Sequence, residues 1–255
     1  MIIVQNSIDR SVMPELACAL VGVLKIRRLA VLGLIVCLLA GAAVAGVLVL
    51  RSHQAPAAFA LSTPSESTGT APLAGVWRVA AGSEAGYRAR ERFINQPATT
   101  EAVARTDKVT GSVKITAQGA SYTAKDVDIK VDLGALVSQD KYANYQAYQR
   151  DFFVRTIYLQ TNVYPTAEFK AANVSVRADQ APGPVELSVP GTLSAHGVTK
   201  PAKADMKVQL TGDRLEVVGT INVDMRDFNV EVPAISFTTA EPILVVEYHL
   251  LLARG

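Results

Sequence analysis

From Trp77 to the end of the chain, apolar and polar residues alternate with a period of two, and few architectures accept that pattern. Val127, Ile129, Val131 and Leu133 alternate with Asp126, Asp128, Lys130 and Asp132. Ala202, Ala204, Met206, Val208 and Leu210 alternate with Lys203, Asp205, Lys207 and Gln209. Leu215, Val217, Gly219, Ile221 and Val223 repeat the pattern with Val218 as the exception, and Val109, Gly111, Val113 and Ile115 repeat it again. Successive side chains of a strand point to opposite faces, so each run has one apolar and one wet face. Gln118-Gly119, Pro182-Gly183-Pro184 and Gly212-Asp213 separate the runs at hairpin spacing.

One-sided strands in succession make antiparallel sheet, and about eight of them need a second layer or closure into a barrel. The one break in the alternation is residues 138–160, SQDKYANYQAYQRDFFVRTIYLQ, which reads as a helix with Ser138 or Asp140 as its cap. A single helical insertion cannot cover a whole sheet. The expected fold is therefore mainly β, an antiparallel barrel of about eight strands, with this insertion as lid or end plug.

The first quarter of the chain is different. Residues 29–50, LAVLGLIVCLLAGAAVAGVLVL, carry no charge. A helix of that length is roughly 33 Å long, enough to cross a hydrocarbon core of about 30 Å. Lys25, Arg27 and Arg28 precede it and Arg51 alone follows closely, so residues 1–28 are expected in the cytoplasm and everything after Arg51 outside it. The chain then reads as a single-pass protein of the plasma membrane. The competing reading is secretion after cleavage of a signal peptide, since Ala43-Val44-Ala45 and Ala58-Phe59-Ala60 both resemble cleavage sites. Residues 51–75, rich in Ala, Pro, Ser and Thr, read as a flexible linker to a domain at 76–255.

Cys18 and Cys37 both precede that domain, so no disulfide is expected within it. Its Lys/Arg and Asp/Glu balance from Val76 onward, and the net +2 of the whole chain belongs to the N-terminal part. Without a basic run, nucleic acid is excluded as a partner. A metal site would need several convergent ligands, yet past Val76 the histidines are His196 and His249, far apart. A hydrolytic triad would have to use Ser194 and His196, but no G-x-S-x-G elbow surrounds Ser194. The expectation is no catalysis, no cofactor and no metal, with His196 hydrogen-bonded around its turn to Thr199. No acidic residue of the domain stands out from a surface charge. Aromatics concentrate in the insertion, where Tyr145, Tyr148 and Phe152 share a helical stripe beside Phe153 and Arg155; the stripe is either core packing or a closure over an apolar ligand.

These segments together resemble the YceI-like family of exported lipid-binding proteins. The resemblance spans roughly Val76–Leu252. It rests on the opening strand GVWRV, on RDFFVRTIYLQTNVYPTAEFK, on the hairpin GTLSAHGVTKPAKADM and on MRDFNVEVP, in which Asn229 stands where glycine is usual. The chain departs from the pattern after Trp77, where RVAAGSEAGYRARE lacks the family's early histidine. The resemblance implies a lipocalin-like barrel that holds an isoprenoid lipid, a polyprenyl chain or an isoprenoid quinone. It places Arg150, Asp151, Arg155, Tyr164 and Pro165 near the barrel mouth and makes His196–Pro201 a shaping turn. The residues expected to meet the ligand are Tyr148, Phe152, Phe153, Arg155, Phe169, His196 and Phe228. The bound lipid and the membrane are the expected partners, with a homodimer as a further possibility. A packed structural module of the cell envelope, or a lipid hydrolase or isomerase using Ser194 and His196, are the alternatives.

Overall fold

The computed structural model describes residues 53–63, 72–94, 98–119, 121–142, 147–177, 184–235 and 238–255. The apolar stretch 29–50 and Tyr145 lie outside them. His53–Gly255 forms one compact unit.

Ten long strands follow one another: β1 (Gly75–Val79), β2 (Glu84–Phe93), β3 (Thr99–Thr106), β4 (Val109–Gln118) and β5 (Ser121–Asp132). After the helical insertion come β6 (Thr166–Arg177), β7 (Val185–Ala195), β8 (Val198–Thr211), β9 (Arg214–Asp224) and β10 (Thr238–Arg254). All their pairings are antiparallel. The order β1-β4-β5-β6-β7-β8-β9-β10 closes on itself, because β10 pairs with β9 along one edge and with β1 along the other. Eight strands thus make a closed barrel, which leaves no unpaired edge between them. The hairpin β2–β3 continues from the same edge of β10 that β1 uses, and the two-residue strand Val137–Ser138 adds to β3.

The period of two becomes the barrel's inside and outside. Val127, Ile129, Val131, Met206, Val208, Leu210, Val217 and Ile221 all face the interior. In β5 the phase shifts: Tyr122 and Ala124 also face inward, at even positions, before the odd-numbered run takes over. The shift sits at Asp126, whose φ of 53° puts it in the left-handed region, and the β4–β5 register slips there between Ser112 and Lys114. One extra residue on β5 is a bulge, which restores the inward face after the slip.

The insertion is helix α1 (Ala147–Phe153), followed by a wider π-type turn at Val154–Tyr158. It starts later than the capping residues expected for it. Ser138 and Asp140 instead bind the helix from the side: Asp140 accepts from the Val103 amide at 3.1 Å and from Arg150 Nη1 at 2.9 Å, while Ser138 N donates to Asp151 at 3.1 Å. Arg150, Asp151 and Asp140 are all buried. Arg155 donates to the carbonyls of Gly134 and Leu136, tying the insertion to the turn after β5.

Two further features depart from the sequence reading. Part of the stretch read as linker, residues 55–63, lies along the outer wall of the barrel. Arg88 and Arg105 donate to the carbonyls of Pro56 and Ala57 at 2.9 and 2.7 Å, and the Arg105 guanidinium sits 3.8 Å above the Phe59 ring. Beneath this strap are two acids that are not surface charges at all: Glu216 is 1% exposed and Glu247 2%. Glu247 pairs with Arg88 and Arg105. Glu216 accepts from Ser62 N, Ser62 Oγ, Gln209 Nε2 and His249 Nε2, at 2.7–2.9 Å. Burial works to raise the Glu216 pKa, but these four donors outweigh it and hold the carboxyl below its ordinary value.

Candidate functional site

The barrel encloses a cavity of about 760 Å³. Strand alternation builds its walls from Val, Ile, Leu and Met, joined by Phe169 on β6 and Phe228 in the turn Met225–Phe228. Glu168 and Gln209 touch the cavity, but both direct their polar ends elsewhere. Glu168 binds Lys130 and Lys170, at 3.1 and 2.6 Å, and Gln209 donates to Glu216 and to the Ser62 carbonyl. Tyr87, Tyr122 and Tyr248 also reach the lining. The Tyr248 ring lies across Gly219, where any side-chain carbon would collide with its hydroxyl. That hydroxyl is buried, has no hydrogen-bond partner among the described residues, and burial pushes its pKa above the ordinary range. A smaller hollow of about 100 Å³ lies beneath the insertion, lined by Arg150, Phe153 and Val154, and shares Tyr87, Leu159, Met225, Val230 and Leu244 with the main cavity.

The residues expected at the ligand fall into three places. Phe169 and Phe228 line the main cavity, and Phe153 lines the smaller hollow. Tyr148 and Phe152 stand in the open on α1, with 65% and 57% of their surface exposed. Arg155 and His196 belong to the scaffold of the same end of the barrel and are not part of the cavity wall.

The β7–β8 hairpin turns on His196. Ala195 pairs with Val198, so the loop between β7 and β8 is His196-Gly197, and both have positive φ, 49° and 73°. Such a two-residue turn matches the twist of the strands it joins. The expected bond to Thr199 does not form, since Thr199 Oγ1 lies 2.8 Å from Ser194 Oγ. The left-handed backbone swings the His196 ring the other way, where Nδ1 meets the Phe228 carbonyl at 3.0 Å and the ring packs on Tyr164 at 4.6 Å. His196 therefore clamps the hairpin to the turn that carries Phe228. Next to it, Asn229 has φ 56°, a left-handed position that asparagine tolerates in place of glycine. Ser194 and His196 have separate partners, so the arrangement forms no nucleophile–base pair.

Sequence reasoning omitted most of the lining, notably Tyr248 and the β10 run Leu244, Val246, Leu250 and Leu252. The signal was weak there, because Val245 and Leu251 are apolar on the opposite face as well and only Glu247 and His249 mark the alternation. What alternation cannot do is tell which apolar face surrounds empty space.

Residues 79–247 match the model of the YceI-like domain family. No curated protein matches the chain. Among solved structures, a polyisoprenoid binding domain from Saccharophagus degradans, implicated in plant cell wall breakdown, is similar at 16% identity and a TM-score of 0.50, covering 71% of this chain and 99% of its own. BcnA of Burkholderia cenocepacia is similar at 18% identity and a TM-score of 0.47, covering 68% of this chain and 98% of its own.

Proposed function

The chain belongs to the YceI-like domain family, and from that premise we propose that it is a non-catalytic container for an isoprenoid lipid, held by residues 29–50 in the plasma membrane with the barrel on the extracytoplasmic side. The observation that carries this reading is the apolar cavity of about 760 Å³. A well-packed structural module has few voids larger than a water molecule, and a cavity of this size falls among ligand pockets. A dry 150 Å³ cavity accepts benzene, so this one would take about 30 carbon atoms, or six isoprene units. Each buried CH₂ contributes about 0.8 kcal/mol before ordering costs, and a flexible chain makes no demand for hydrogen bonds that these walls could not meet. The Saccharophagus degradans domain, a polyisoprenoid binding domain of the same fold, supports the choice of an isoprenoid over other lipids. A polyprenyl chain of up to about six isoprene units, or an isoprenoid quinone of the same total size, is compatible with this volume. Ser194 and His196, bound to Thr199 and to the Phe228 carbonyl, offer no support for hydrolysis.

Native mass spectrometry tests the reading on full-length chain purified gently from a lipid-containing host, followed by solvent extraction. One isoprenoid per chain is the expected result. A clean apo mass that persists after incubation with polyprenols and quinones would sink it.

A further inference from the structure

Helix α1 is amphipathic in the reverse sense. A surface helix of a folded protein normally turns its apolar stripe to the core and its charges to water. Here Arg150 and Asp151 are buried, fixed by Ser138, Asp140 and the neighbouring Glu91, while Tyr148, Phe152, Phe153 and Ile157, each at least half exposed, face outward beside the polar Gln149 and Thr156. Val163, in the loop that follows, is 58% exposed as well. The buried ion cluster holds the helix so that this face cannot roll inward. Phe152 and Phe153 pack edge to face at 5.8 Å and form a small raised platform of rings. Exposed apolar patches of this kind mark interaction sites, and rings and aliphatic groups on a short surface helix suit the boundary between lipid headgroups and acyl chains.

We propose that this outward face of α1 is a bilayer-docking surface, through which the barrel rests on the lipid that supplies its cargo. Two observations select a bilayer over a protein partner. The chain enters the compact unit at His53, whose backbone pairs with Tyr142, five residues before α1. Two residues, Arg51 and Ser52, lie between His53 and Leu50, the end of the apolar stretch, so the chain between them reaches at most about 10 Å. In the sequence, the proposed membrane span therefore ends shortly before the strand pair that leads into α1. In addition, Phe153 reaches from the exposed face into the small hollow under the helix, which shares five wall residues with the main cavity. A lipid leaving the bilayer beside α1 would therefore meet a wall that is mostly apolar, interrupted by Arg150 and Glu91, from the docking face to the interior.

The inference rests on the container reading, and its test separates the two. Full-length chain carrying Phe152→Trp is reconstituted into phosphatidylethanolamine–phosphatidylglycerol vesicles, with and without dibrominated acyl chains, and cargo is extracted from the same sample. The single native tryptophan, Trp77, is fully buried and supplies a constant background that the unsubstituted chain measures. The expected result is a blue-shifted emission from the new indole that brominated lipid quenches. Ile157→Trp, on the next turn, gives the same readout should Phe152→Trp fold poorly. The combined variant Tyr148→Ser, Phe152→Ser, Ile157→Ser changes exposed side chains alone; it should keep the melting temperature and slow loading of cargo from vesicles. A water-like emission indifferent to brominated lipid overturns the proposal. So does a blue shift that depends on protein concentration and not on lipid, because a second copy would then cover the face. Cargo without quenching removes the docking surface and leaves the container intact; quenching without cargo does the reverse.

Discussion

The Tyr248 hydroxyl is, with Asp128 Oδ1 and His196 Nε2, one of three buried side-chain atoms without a hydrogen-bond partner among the described residues. An unsatisfied buried polar group costs about 1–3 kcal/mol, and this one has no partner among the described residues. Tyr248→Phe removes the oxygen and keeps the ring that fills the notch over Gly219. It should raise the melting temperature of the delipidated protein, and differential scanning calorimetry is the check; a lower temperature would show that the hydroxyl is satisfied after all. Gly197 makes the opposite case. Its φ of 73° is left-handed, and a Cβ there would lie 2.8 Å from the Tyr164 ring. Gly197→Ala should cost at least about 1 kcal/mol in chemical denaturation, because both the backbone and the ring must shift. The sequence marks the Gly197 turn plainly, through the His-Gly pair between two alternating runs. It contains no sign of where the His196 ring goes, since Phe228 is far away along the chain and becomes a neighbour only when the barrel closes.

Two elements are held in place by buried charge, and each makes its own prediction. Under α1, Arg150 neutralises Asp140 and lies 3.9 Å from Glu91, whose carboxyl burial pushes above its ordinary value. Arg150→Met keeps the stem and deletes the cation, which leaves buried carboxylates facing one another. A loss of about 3–5 kcal/mol in denaturant unfolding is expected, as for any broken buried pair. The strap at 55–63 is secured through Glu216, which Ser62, Gln209 and His249 surround and which Thr211 approaches at 3.5 Å. Its folded pKa lies below the ordinary 4.5. The carboxylate's contribution is therefore complete above about pH 4.5 and disappears as the pH falls through the lower folded value. Glu216→Gln should flatten that acid limb of the stability profile, and unfolding curves measured between neutral and acid pH would show it. An unchanged limb would mean that other carboxylates dominate. The acids beneath the strap were obscure in the sequence for a physical reason. A charged residue on the polar side of an alternating strand looks the same whether water or another segment covers it.

At the level of the whole barrel, capacity follows from the size of the side chains pointing inward. Ala124 faces the cavity from β5. Ala124→Trp places an indole in the space that the lipid would fill and leaves the strand pairing untouched, so the protein should fold and retain shorter chains than the natural barrel does. Extraction and mass analysis of the bound lipid decides this; an unchanged chain length would mean that the lipid occupies another part of the cavity. Alternation of apolar and polar residues, with turn signals between the runs, is a local property. It was enough to announce antiparallel strands, a closed barrel of about eight of them and one helical break, because each strand displays its own two faces in its own residues. The bulge at Asp126, the strap over Glu216 and Glu247, the outward rings of α1 and the volume left inside are not local. They depend on which strand becomes whose neighbour and on how much space the inward side chains fail to fill, and distant segments settle both only when the barrel closes.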